Sequence, residues 1–140
     1  MIKNVLIIDD DETSIFVTKR RILKSDFAAN VLTPGYGVSA IPYFEELIAS
    51  GDQEVPELVF LDLNMPFLNG WKFLDVFVQH FLPLLPTIHI CVLSSLNPSE
   101  EVKATIPPCV IAFINKPLAA QDLENLKKHE CLSPYFSEVV

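Results

Sequence analysis

The sequence predicts a doubly wound α/β fold, a parallel β-sheet with helices packed on both faces. Two observations carry this. Strand and helix signals alternate five times along 140 residues, the pattern of successive βαβ units. Four apolar runs also end in chemically active side chains and then break into a turn. Val5-Leu6-Ile7-Ile8 ends in Asp9, Asp10 and Asp11. The run from Leu58 ends in Asp62, followed by Asn64, Met65 and Pro66. Ile90-Cys91-Val92-Leu93 ends in Ser94 and Ser95, and Val110-Ile111-Ala112-Phe113-Ile114 ends in Asn115, Lys116 and Pro117. Such runs read as buried strands that deliver side chains to their carboxyl edge. Open α/β sheets place their chemistry at that edge.

In chain order, strands are expected at about 3–9, 28–33, 57–62, 87–93 and 109–115, and helices at about 12–25, 38–50, 69–80, 98–105 and 119–129. Asp11 and Glu12 supply favourable charge at the start of the first helix. Within it Ile15, Phe16, Ile22 and Leu23 repeat at a spacing of seven, with Lys19, Arg20 and Arg21 between them, an amphipathic stripe. Phe16, the larger side chain, is expected to share the buried stripe with Leu23. Ile15 is expected to stay partly exposed as an anchor for a partner. Pro42 falls in the first turn of the second helix, where it costs little. Asn69-Gly70 closes a turn before the helical face of Trp71, Phe73, Leu74 and Phe77, and Pro83 and Pro86 end that segment. The fourth helix is short. Asn97 or Ser99 can cap it, Glu100 and Glu101 suit its first turn, and Pro107-Pro108 stops it. One domain over 1–130 is expected, with 131–140 as a C-terminal tail.

Half of the residues are apolar, which suits a sheet covered on both sides. Uninterrupted apolar runs are far short of the ~20 residues that span a bilayer. The N-terminus enters a strand at once, without the apolar core of a signal peptide. Cys91, Cys109 and Cys131 are odd in number and widely spaced, so a reduced, cytoplasmic setting is expected, with Cys91 and Cys109 as small core residues. A net charge of −8 argues against a nucleic-acid surface. The one basic cluster, Lys19-Arg20-Arg21 with Lys24, reads as a solvated helix face or part of a docking surface. His80, His89 and His129 share no metal-ligand spacing.

Strand ends in a parallel sheet lie side by side, so Asp9, Asp10 and Asp62 converge. Clustered carboxylates repel one another unless a cation neutralises them, and hard oxygen ligands suit Mg²⁺. An aspartate there can be the nucleophile of phosphoryl transfer, giving an acyl phosphate. The charge spread over the transferring group then calls for cations and donors. Mg²⁺, the Ser94 hydroxyl and the Lys116 ammonium supply them.

In order and spacing, these residues resemble the receiver domain of two-component response regulators. The pattern has an acidic pair after the first strand, Asp62-Leu63-Asn64-Met65-Pro66 after the third, Ser94-Ser95 after the fourth and Lys116-Pro117 after the fifth. It extends over residues 2 to about 129. The resemblance implies a flavodoxin-like (βα)5 fold with a five-stranded parallel sheet of order 2-1-3-4-5. It implies Asp62 as the phosphoacceptor, Asp10 and Asp62 as direct Mg²⁺ ligands, Asp9 acting partly through water, and the backbone carbonyl of Asn64 as the third protein ligand. Ser94 corresponds to the switch hydroxyl, Phe113 to the switch aromatic and Lys116 to the phosphate-binding lysine. A cis Lys116-Pro117 bond is also implied. Leu63 and Leu96 occupy variable positions that tune dephosphorylation in such domains.

The function so implied is that of a signalling module rather than an enzyme. A histidine kinase or histidine phosphotransfer protein would supply the phosphoryl group, and the product would bind a protein target or pass the group on. Neither nucleic acid nor membrane is an expected direct partner, and a stand-alone receiver is expected because few residues follow the fifth helix. Two alternatives differ in class. A phosphorylation-independent receiver-like interaction module would have lost an acid or the lysine, and none is lost. A haloacid-dehalogenase-type phosphohydrolase would use Asp9-x-Asp11-x-Thr13. It would also need a strand ending in an acidic pair after the lysine, which the sequence does not offer.

Overall fold

The structure, a computed structural model, describes residues 1–33, 40–50, 55–63, 70–94 and 106–136. The helix expected at 98–105, the Asn64 carbonyl and Leu96 lie outside the described residues. Five strands form one sheet: β1 (Ile2–Ile8), β2 (Ala28–Leu32), β3 (Leu58–Asp62), β4 (His89–Ser94) and β5 (Val110–Asn115). All neighbours are parallel and the order is β2-β1-β3-β4-β5, as the resemblance implies. The described α-helices are α1 (Glu12–Lys24), α2 (Ala40–Ser50), α3 (Gly70–Val76) and α4 (Ala120–Lys127).

The central strands are apolar on both faces because both are covered. β3 is buried along its whole length. Alternate residues of β1 divide between two cores. Val5 and Ile7 pack with Ile22 of α1, with Phe27, and with Leu123 and Leu126 of α4. Leu6 and Ile8 pack with Phe44 of α2 and with Phe73 and Leu74 of α3. On that second side Phe44 meets Phe73, Phe77 and Phe81, with ring centroids 5.4–5.9 Å apart. Beyond Val76 the helix widens into a π-turn, Phe77–Phe81, in which the Leu82 N–H reaches the Phe77 carbonyl at 2.8 Å. Phe77 and Phe81 both face the core, where each is buried.

α1 departs from expectation in one respect. Its inward stripe is Ile15, Thr18 and Ile22, whereas Phe16 is 63% exposed and Leu23 43% exposed. Ile15 packs partly buried against the core, so the exposed one of the two is Phe16 and not Ile15. Adjacent helical positions are turned about 100° apart, and only one of the two seven-residue repeats can face the sheet. The space beneath α1 is already filled by Ile22, Phe27 and Phe60, all fully buried.

The chain past α4 does not simply lead away. Leu132 is fully buried, and Phe136 lies 5.3 Å from the Phe27 ring. Lys127 sits over the Phe136 ring and donates to the Ser25 carbonyl at 2.8 Å. All three cysteines are free thiols, with Cys91 and Cys109 buried, and burial pushes both thiols up. Among the described residues no helix is long and apolar enough to cross a membrane.

Candidate functional site

Sheet register determines what meets at the carboxyl edge. Ile8 pairs with Leu61, which sets Asp9 level with Asp62. Asp62 pairs with Leu93, one residue short of Ser94, and Ser94 pairs with Asn115, one residue short of Lys116. Four strand ends therefore deliver Asp9, Asp62, Ser94 and Lys116 to one rim. Asp9, Asp62 and Ser94 are buried, and Asp10 is half-buried at the mouth.

The lysine ties the acids together. Lys116 Nζ lies 2.8 Å from Asp9 Oδ2 and 3.2 Å from Asp62 Oδ2. Asp9 holds two further donors: the Asp11 N–H reaches Oδ1 at 3.0 Å and the Ser14 hydroxyl reaches Oδ2 at 2.7 Å. Burial alone would push the Asp9 carboxyl up. The bonds from Lys116, Ser14 and the Asp11 N–H outweigh it and hold the group below the usual carboxylate value. Burial likewise works against the Lys116 charge, but its bonds to Asp9 and the two neighbouring carboxylates raise its pKa. Both groups are thus held ionised.

Local structure supports these positions. Asp11 caps α1 by accepting the Thr13 N–H at 2.9 Å, which fixes the loop carrying Asp9 and Asp10. Asp122 accepts the Ala119 N–H at 2.9 Å and closes the start of α4 behind Lys116. The Lys116-Pro117 peptide bond is cis.

Asp9, Asp10 and Asp62 each offer an oxygen, all within 4.8 Å of one another, a spacing that can hold a metal ion. Three hard carboxylate oxygens at one strand edge fit Mg²⁺ better than a softer ion. Phe113 is half-buried on β5, against the α2–α3 core, and pairs with Val92. Trp71 also packs partly buried there. Sequence reasoning missed Ser14. The available signal was its place in the first turn after Asp11, close enough to reach back to Asp9.

Comparisons with known proteins agree with this geometry. The family model described as response regulator receiver domain matches residues 5–128. A two-component response regulator structure from Cytophaga hutchinsonii superposes with a TM-score of 0.80 and 35% identity, covering 94% of this chain and 98% of that one. The bacteriophytochrome response regulator RtBRR shares the fold, with a TM-score of 0.76 and 20% identity over 99% of this chain and 82% of that one. Among curated proteins, the two-component response regulator ORR1 of Oryza sativa subsp. indica is 25% identical over 91% of this chain. Hybrid signal transduction histidine kinase C of Dictyostelium discoideum is 29% identical over 92% of it. The chain spans 54% of the first of these proteins and 10% of the second. Strand order, acidic pocket and family match together place this chain in the response regulator receiver domain family.

Proposed function

We propose that Asp62 accepts a phosphoryl group from a phosphohistidine of a histidine kinase or histidine phosphotransfer protein. An Asp62 oxygen attacks phosphorus. The P–N bond to the donor imidazole breaks, with its electron pair returning to the ring nitrogen, and an acyl phosphate forms. The observation that carries this reading is the Lys116 ammonium bridging Asp9 and Asp62, a cation set beside a buried carboxylate where phosphoryl oxygens would arrive. Bound Mg²⁺ would neutralise the clustered acids and the incoming group. Asp10 and Asp62 would hold it directly, with the Asn64 carbonyl. Asp9 already accepts three hydrogen bonds, which supports its reaching the ion through water. Ser94 and Lys116 would then hold the phosphoryl oxygens, and Phe113 would follow Ser94 inward as the switch.

The docking face would be the outer side of α1. Phe16, Leu23, Lys19, Arg20 and Lys24 line a groove of about 430 Å³. In a chain of net charge −8, four of its ten cations sit on this helix, so the partner would present an apolar ridge with an acidic rim. The reduced cysteines agree with a cytoplasmic setting.

The test is labelling by acetyl phosphate with and without Mg²⁺. Wild type should be labelled on Asp62 only with Mg²⁺, and Asp62→Asn should not be labelled. Label found on Asp9 in both proteins would overturn the reading in favour of a hydrolase-like nucleophile.

A further inference from the structure

The Asp9 carboxylate is ringed by donors, and one of them has no part in the chemistry proposed above. Oδ2 accepts both the Lys116 ammonium at 2.8 Å and the Ser14 hydroxyl at 2.7 Å. Oδ1 accepts the Asp11 N–H at 3.0 Å. The Asp9 side chain is only 2% exposed, so bulk solvent does not readily replace a lost donor. We propose that Ser14 is a positioning residue of the phosphorylation pocket: its hydroxyl shares Asp9 Oδ2 with Lys116 and stays there when the ammonium shifts toward the phosphoryl group. The proposal rests on the reading of Asp62 as phosphoacceptor and Lys116 as the phosphate's partner.

A carboxylate oxygen has two lone-pair sites, and on Asp9 Oδ2 the two donors fill both. In the resting pocket Lys116 is divided between Asp9 and Asp62. A phosphoryl group on Asp62 places new anionic oxygens beyond that carboxylate, and the ammonium follows them, lengthening its bond to Asp9. Ser14 acts on this shift in two ways. Before it, the hydroxyl draws on the same oxygen and weakens the grip of Asp9 on Lys116. After it, the hydroxyl still donates to the oxygen that has lost the ammonium, which limits the cost of that loss. Both effects favour the phosphorylated arrangement over the resting one.

Chain geometry suits the division of labour. Ser14 lies in the first turn of α1, which the Asp11 cap fixes, whereas Lys116 ends a flexible four-carbon stem. Both line a surface cleft of about 280 Å³ beside Val17 and Pro117.

The test compares wild type, Ser14→Ala and Ser14→Thr. Beryllofluoride affinity in saturating Mg²⁺ is measured by calorimetry, alongside thermal melting without Mg²⁺. Loss of one shared hydrogen bond should weaken beryllofluoride binding by about three- to tenfold in Ser14→Ala, with the melting temperature nearly unchanged. Ser14→Thr, which keeps the hydroxyl, should bind within about twofold of wild type. Wild-type affinity in Ser14→Ala, or equal losses in the Ala and Thr variants, would overturn the role of the hydroxyl. If wild type itself neither binds beryllofluoride nor takes label on Asp62 from acetyl phosphate, the underlying reading of the pocket fails, and Ser14 fails with it.

Discussion

The Lys116 N–H donates to the Ser94 carbonyl at 2.9 Å across the ends of β4 and β5. The two residues proposed to hold the phosphoryl group are therefore carried on strand ends joined by a hydrogen bond. Neither end can move far without the other. A phosphoryl mimic should therefore alter both ends together, as a two-state element biased by ligand. Beryllofluoride with Mg²⁺ is expected to change amide exchange across residues 94–116, with Phe113 included. Saturated binding with no exchange change there would exclude a switch and leave a passive phosphate carrier.

Lys116 also compensates two buried carboxylates. Lys116→Met would leave Asp9 and Asp62 facing each other without a cation. Removing one partner of a buried ionic set costs about 3–5 kcal/mol. The partial exposure of the lysine side chain, 18%, points to the low end or below. Thermal melting should show a clear loss without Mg²⁺ and substantial recovery when millimolar Mg²⁺ is added. A variant that melts like wild type in both conditions would show that the lysine is electrostatically dispensable at rest.

The exposure of Phe16 and Leu23 leads to a docking test. Phe16→Asp should slow phosphotransfer from the cognate histidine protein by about tenfold or more, the scale of a lost apolar anchor. Acetyl phosphate labelling and melting should be nearly unaffected. Ile15→Asp should instead destabilise the fold by about 2–3 kcal/mol, because it places a charge against the core. Transfer should also slow as salt rises, through screening of the basic rim. Normal transfer to Phe16→Asp would move the docking face off α1.

His89 sets a pH dependence of stability. Its Nδ1 is buried with no hydrogen-bond partner among the described residues. Burial, then the charge of nearby His129, holds its pKa below the ordinary 6.5. The folded state thus prefers the neutral ring, while the unfolded chain takes up the proton near 6.5. The contribution to stability is full above that value and is lost as pH falls through it toward the folded pKa. Melting temperature should drop between pH 7.5 and 5.5, and His89→Phe should flatten the drop. An equal slope in both proteins would place the dependence on other groups.

What the sequence made legible follows from how each residue is specified. Asp9, Asp62, Ser94 and Lys116 could be read because each ends an apolar run, and parallel pairing brings such ends to one rim. The inward face of α1 was misjudged because two seven-residue repeats, Ile15–Ile22 and Phe16–Leu23, compete there. The residue that marks the true inward stripe is the polar but buried Thr18, which hydrophobic periodicity does not count. The π-turn at Phe77–Phe81 was read as ordinary helix, because apolar spacing alone does not separate a π-turn from an α-turn. The Ser14–Asp9 bond depends on the geometry of a capped first turn, which composition cannot express.

The closure of Phe136 over Phe27 gives the molecule a distant handle. The Phe27 carbonyl accepts the Ile2 N–H where β1 and β2 begin, so Phe136 sits at the amino-end pole of the sheet. The acidic pocket lies at the other pole, one strand away. Seven residue steps from Ile2 to Asp9, at about 3.3 Å each, separate the two poles by roughly 23 Å. A tether or bulky neighbour joined at Phe136 would therefore stand clear of the pocket and leave its mouth open.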